Sequence, residues 1–216
     1  MSEMQLYTFF RSGTAHRVRI ALNLKGLQAE HIPVNLAVDA QLEPAYAEVN
    51  PQKLVPTLNV GDHRLIQSPA ILEWLDETYP EPALLPRDTW ARARVRALAA
   101  MVGCDVHPIN NRRILQYLRK QFGADEAAVN AWCGRWIADG FDAYEALLAE
   151  DEHRGGFSFG GAPSMADLYL IPQVESARRF QVDLTRWPLI SEVEQRCMAL
   201  PAFADAAPMR QPDAPK

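Results

Sequence analysis

A strand-length run, Met4 to Phe10 (MQLYTFF), gives way to Arg11-Ser12-Gly13-Thr14 and then to the helical spacing of VRIALNLKG. Two hydroxyls in a turn that opens a helix can do chemistry. A helix start carries unpaired N–H groups and about half a positive charge, so Ser12, Thr14 and the Gly13 backbone are placed to stabilise an anion. The same residues also suffice as a simple N-cap, and spacing leaves both roles open. A second candidate is Leu54-Val55-Pro56-Thr57: the proline marks an edge strand, or a cis bond that frees the Val55 backbone to pair with an extended peptide. A third is Gln67-Ser68, where Ser68 reads as the N-cap of another helix with Pro69 at its first position, or where side chain and amides together hold a carboxylate. The fourth is the polar set His107, Asn110, Asn111, Arg112 and Arg113, with Arg178 and Arg179 further on. Single helical arginines usually face solvent, and Arg112 and Arg113 point about 100° apart, so one at most faces a given cleft.

Several chemistries are missing. No P-loop, G-x-G-x-x-G or Ser-His-Asp signature occurs, and 5 scattered histidines with no C-x-x-C give no metal site. The 3 cysteines, Cys104, Cys133 and Cys197, are too widely spaced for a disulfide framework. They fit a reducing compartment, and the start MSEMQLYTFFRSG lacks the features of a secretory signal, so the expected location is cytoplasmic. A net charge of −5 argues against a nucleic-acid partner. The longest apolar stretch, Ala97 to Cys104, falls far short of the roughly 18 residues that span a bilayer, so no membrane partner is expected.

The elements that must position these residues fall into two halves. The first 84 residues read β-α-β-α-β-β-α: the run to Phe10, the helix closing at Gly26, a strand from His31 to Leu36, an irregular NPQK turn, VPTLNV, a turn at Gly61-Asp62, a strand Arg64 to Ile66, and the helix SPAILEWLDETY. PEPALLPRD then interrupts the chain, and 85–90 reads as a linker. From 91 to 216 the spacing is helical, with helices expected over Ala91–Lys120, Asp125–Glu150, Met165–Phe180 and Leu189–Ala199. Ser164 and Asp167 stand three apart at the third of these, as in a capping box.

Taken together, FFRSGTAHRVRIALNLKG, NPQKLVPTL, IQSPAILEWLDETYP and MADLYLIPQVESARRFQVDL resemble the zeta class of glutathione transferases over nearly the whole chain. Where that class usually reads S-S-C-S-W-R-V-R-I-A-L, this chain has Gly13 and Thr14 in place of the second Ser and the Cys, and His16 in place of the Trp. RSGTAHR and GCDVHPINNRRILQYLRK are more similar to the bacterial maleylpyruvate isomerases than to the maleylacetoacetate isomerases. The resemblance implies an α/β thioredoxin-like domain that binds glutathione (1–84), followed by an all-α, substrate-side domain (91–216), in a homodimer. It also implies a glutathione-dependent cis–trans isomerase of a small dicarboxylate, maleylpyruvate to fumarylpyruvate, in gentisate-type aromatic catabolism. Alternatives within the resemblance are maleylacetoacetate isomerase and a transferase acting on α-haloacids; a non-enzymatic alternative is a dimerisation module.

The resemblance also implies roles. A thiol of pKa about 8.5 becomes mainly thiolate at neutral pH if its pKa falls by about 2, worth about 2.7 kcal/mol. Thr14 is the preferred donor to that sulfur and Ser12 its alternate. Val55 would pair with the cysteinyl unit, Gln67 and Ser68 would hold the γ-glutamyl carboxylate, and His107, Asn111 and Arg112 would meet the other end of glutathione or act from the neighbouring subunit. Arg11, Arg113 and Arg179 would clamp the substrate carboxylates through charge-assisted hydrogen bonds.

Overall fold

The structure is a computed structural model describing residues 3–151 and 154–215. Its first elements are β1 (Met4–Thr8), α1 (Gly13–Leu24), β2 (Glu30–Pro33), α2 (Pro44–Val49), β3 (Thr57–Val60), β4 (His63–Ile66) and α3 (Ser68–Thr78). This is the expected β-α-β-α-β-β-α order. The four strands lie in the order β2-β1-β3-β4, with β1 parallel to β2 and antiparallel to β3. Leu6 faces Leu58 across β1 and β3, and both are fully buried, as are Ile20 of α1 and Ile71, Leu72 and Leu75 of α3. Each such side chain contributes about 1.5–3 kcal/mol over exposure, so the strand ends and the start of α1 rest on a firm base.

The helical part contains α4 (Thr89–Ala100), α5 (Arg112–Phe122), α6 (Glu126–Ala149), α7 (Met165–Arg179), α8 (Pro188–Met198) and α9 (Pro201–Ala204). The single helix expected over Ala91–Lys120 is instead two. After α4 the chain widens into a π-helical turn over Met101–Val106, and Pro108 then lacks the N–H that a continuing helix needs. Asn111 restarts the helix, its Oδ1 accepting the Arg113 N–H at 3.2 Å. The wide turn presses on α6 at Gly140, where a Cβ would fall 2.3 Å from Val106 Cγ2. The capping box expected at Ser164 forms: fully buried Asp167 accepts from the backbone N–H groups of Ser158 and Ser164, each at 2.7 Å, and from Ser164 Oγ at 3.0 Å.

Two compact units result, Met1–Leu84 with Ala199–Lys216, and Leu85–Met198. The last residues of the stretch expected over 91–216 are helical but belong to the first unit rather than the second. The Asn23 Nδ2 group donates to the Ala202 carbonyl at 3.0 Å, Arg19 Nε to Ala206 at 3.1 Å, and the Phe10 N–H to Asp213 Oδ2 at 2.8 Å. Among the described residues no helix is long and apolar enough to cross a membrane.

Candidate functional site

Ser12 takes an extended backbone and caps α1, its Oγ accepting the Ala15 N–H at 3.2 Å. Gly13 and Thr14 therefore lie inside the helix, in its first turn. Thr14 Oγ1 donates to the Val55 carbonyl at 2.9 Å and lies 3.0 Å from Ser12 Oγ. A hydroxyl has one proton, and that of Thr14 is engaged by Val55, so Ser12 is the donor within the pair. The first turn of α1 contains no acidic residue that would cancel its positive end. His16, two residues after Thr14, is 2% exposed, and burial followed by the nearby Arg19 and Arg17 charges pushes its pKa down to about 3. It is a neutral packing residue at working pH.

Val55 is buried, and the Val55-Pro56 bond is cis, one of the two alternatives the sequence left open. A residue the sequence did not flag holds this segment: Asn50, 1% exposed, donates to the Leu54 carbonyl at 2.8 Å and accepts the Gln52 N–H at 2.9 Å. Tyr46 Oη donates to the same Leu54 carbonyl at 2.7 Å. The loop is thus braced immediately before Val55. Among the described residues no hydrogen bond engages the Val55 N–H, so that N–H is available to an extended peptide such as the cysteinyl unit of glutathione.

At α3 the roles expected of Ser68 and Pro69 shift by one residue. Gln67 is the N-cap, with φ 72° and no side-chain cap, Ser68 is the first helical residue and Pro69 the second. The left-handed backbone of a non-glycine residue costs about 1–3 kcal/mol and is characteristic of sites that grip a ligand. Ser68 is buried and accepts from Arg17 Nη1 at 3.3 Å, which brings a guanidinium to the positive end of α3. Gln67 Nε2 donates to Gln52 Oε1 at 2.6 Å. An uncapped helix start backed by a cation suits a carboxylate. The donor set at Val55, Gln67 and Ser68 therefore fits glutathione, an extended tripeptide with a carboxylate at its γ-glutamyl end.

The remaining candidates sit in the second unit. Arg112 and Arg113 are the first two residues of α5 rather than mid-helix positions, and Asn111 is its N-cap. Asn110 is buried and His107 half-buried at the break before α5. Arg178 and Arg179 close α7 but separate in role: Nη1 and Nη2 of Arg178 both donate to the Glu194 carboxylate, whereas exposed Arg179 stacks 4.8 Å from the Phe180 ring centroid. Arg113 is exposed. In the first unit Arg11 is exposed too, its guanidinium 5.4 Å from the Phe10 ring centroid and 6.0 Å from that of Phe9. The three cysteines are free thiols, and burial raises the pKa of Cys133 to about 12 and that of Cys197 further, so neither of these two is a nucleophile.

This combination, a thioredoxin-like unit with hydroxyls at the α1 start and a cis-proline loop beside an uncapped α3, defines a class. The chain belongs to the glutathione transferase family: residues 6–83 match the model for the glutathione S-transferase N-terminal domain, and 98% of the chain matches a zeta-class glutathione S-transferase from Euphorbia esula at 40% identity. One relative is maleylpyruvate isomerase from Ralstonia sp., 66% identical over 97% of this chain and 99% of its own length. A holo structure of maleylpyruvate isomerase, described as a bacterial glutathione S-transferase in the zeta class, superposes with a TM-score of 0.97 at 65% identity, covering 98% of this chain and all of the other. Maleylacetoacetate isomerase from Methylobacterium extorquens, solved with bound malonate and glutathione, superposes at 0.95 with 38% identity, over 98% of this chain and all of the other.

Proposed function

We propose that the chain isomerises maleylpyruvate to fumarylpyruvate with glutathione as a catalytic thiol. The observation that carries this reading is the Ser12–Thr14–Val55 hydrogen-bonded chain at the start of α1, which leaves one reorientable hydroxyl at a positively charged helix end. Glutathione, when bound, supplies a thiolate that adds reversibly to the conjugated cis double bond, making it single so that it can rotate.

The residues of this chain do the rest. Ser12 is the donor to the sulfur in preference to Thr14, because its proton can swing away from Thr14 Oγ1 while the Thr14 proton stays on the Val55 carbonyl. Thr14 aligns Ser12 and fixes Val55. The N–H groups of Gly13 and Thr14, in the first turn of α1, add the field of the helix end, and together these groups are of the size that a roughly 2.7 kcal/mol stabilisation of thiolate requires. The Val55 main chain pairs with the cysteinyl unit, and Gln67, Ser68 and the start of α3 take the γ-glutamyl carboxylate. His107, Asn111 and Arg112 serve the glycyl end, in the same chain or from the neighbouring subunit of a homodimer; Asn111 does so with its amide nitrogen, since its oxygen caps α5. Arg11, Arg113 and Arg179 bind the two substrate carboxylates and stabilise the charge that develops on the conjugated carbonyl oxygen. Three free thiols agree with a cytoplasmic setting.

The test is an absorbance assay on maleylpyruvate and maleylacetoacetate in parallel with catalytic glutathione, counting total thiol before and after. Faster loss of the cis signal from maleylpyruvate with thiol conserved supports the reading. Faster turnover of maleylacetoacetate moves the chain to the longer substrate, and thiol consumption without isomerisation moves it to the conjugating transferases.

A further inference from the structure

The segment after α8 does more than fill space. Residues 199–215 belong to the first unit, and two of their polar contacts, from Asp213 and Ala206, lead to the strand end before Ser12. Asp213 Oδ2 accepts the Phe10 N–H at 2.8 Å. The Phe10 carbonyl accepts from Arg19 Nη2 at 3.0 Å, so both main-chain polar groups of Phe10 are held by charged side chains. Arg19 is buried, and its other donors go to Thr8 Oγ1 at 3.0 Å and to the Ala206 carbonyl at 3.1 Å, so one guanidinium ties β1 to the returning segment. Burial draws the Arg19 pKa down to about 10, and the nearby Asp213 carboxylate opposes that fall. Ala214 packs against the cluster of Phe9, Phe10, Val34, Tyr46 and Val55. That cluster includes the two rings under Arg11 and the residue that accepts from Thr14.

We infer that Asp213 is a positioning residue for the candidate site: by holding the Phe10 N–H, it fixes the backbone that aims Arg11 and Ser12. This rests on the proposed isomerase reading for its kinetic consequence, though not for its structural one. Phe10 has no other charged acceptor for its N–H among the described residues, and Ser12 follows two residues later with its own N–H on the Phe9 carbonyl at 2.9 Å. A shift at Phe10 is therefore passed to Ser12 without slack. Displacements of about 1 Å at a reacting group cost up to about 100-fold in rate.

The experiment compares Asp213→Ala, Asp213→Asn and Asn23→Ala in the full chain. Asn23→Ala removes a different anchor of the same segment, the bond to Ala202, at the far end of α1 from Ser12. Three quantities are read: kcat and KM for the dicarboxylate, the pH titration of the bound glutathione thiol by its ultraviolet thiolate absorbance, and amide exchange at Phe10 and Ser12. Asp213→Ala should lower kcat by about 10-fold or more, raise the pH at which the bound thiol ionises, and speed exchange at both amides. Asp213→Asn keeps an oxygen acceptor and should restore most of all three. Asn23→Ala should lower the thermal midpoint and leave kcat and thiol titration unchanged. If Asp213→Ala behaves like Asn23→Ala, losing stability alone, the positioning role is overturned. Failure of the wild-type chain to isomerise either substrate overturns the functional reading instead, and the amide exchange still decides whether Asp213 orders the loop.

Discussion

Phe10 and Thr14 are held by partners distant in sequence, Asp213 at a separation of 203 residues and Val55 at 41, whereas Arg179 leans on Ser176 and Phe180 within its own helix end. The hydroxyl chain is held by the fold itself, so presenting a donor to the sulfur takes only a rotation of the Ser12 hydroxyl away from Thr14. The exposed arginines have long flexible stems, each giving up as much as about 2 kcal/mol of rotamer freedom on engagement and gaining charge-assisted bonds of about 1.5–3 kcal/mol. The two regions thus suit two tasks. In the proposed reaction, a fixed loop would set the acidity of one atom, and adaptable cations would fit a substrate that must change shape.

The largest effect that would sharpen this contrast is expected from Ser12→Ala, which removes the donor assigned to the sulfur. Its kcat should fall by about 100-fold or more, with glutathione still bound, and the bound thiol should titrate at higher pH. A greater loss in Thr14→Val than in Ser12→Ala would reverse the assignment. Next, Arg113→Ala and Arg179→Ala should each lower kcat/KM for the dicarboxylate by about 10- to 100-fold while the glutathione Kd, measured calorimetrically, barely changes. Lysine at either position should recover only part, since it lacks the planar fork. If both arginine variants lose glutathione instead, the division of labour between the two regions is wrong.

A smaller effect concerns the packing beneath the loop. In the unfolded chain His16 takes up a proton near its ordinary pKa of 6.5, but the native state resists until about 3. The unfolded state therefore binds more protons between those values, and stability present above pH 6.5 is lost progressively as pH falls towards 3. His16→Phe should flatten that part of a urea-unfolding profile against pH. The smallest change is expected for Thr14→Val, which keeps the shape and removes the bond to Val55: a few-fold loss in kcat with little change in substrate KM.

Much of the first unit was legible in the chain. The alternation of β-type and helical runs, the polar turn before VRIALNL, and Gly61-Asp62 between two short strands all carry local signals, and the observed order follows them. The break at Pro108 was also readable, since proline interrupts the helical ladder, yet apolar spacing on either side masked it. Gln67 was harder: Ser68 followed by Pro69 has the composition of a cap, but the left-handed backbone one residue earlier moves the cap, and only the fold imposes that conformation. Asn50, Arg17 and Arg19 give no sequence signal of function, because their importance lies in which distant carbonyl or hydroxyl each one meets.

What the sequence by itself determined is local or compositional: the class of fold, the hydroxyls at a helix start, the Val-Pro loop, the supply of arginines and the lack of other chemistries. These depend on residue types within a few positions of one another, where propensity and patterning act. What tertiary structure decided is which hydroxyl keeps a free proton, which of two neighbouring arginines a glutamate takes, and where the last residues go. Each of those depends on a hydrogen bond or ion pair closed over a separation of 16 to 203 residues. No local rule encodes such a partner, because the two groups come within hydrogen-bond reach only after the chain has folded.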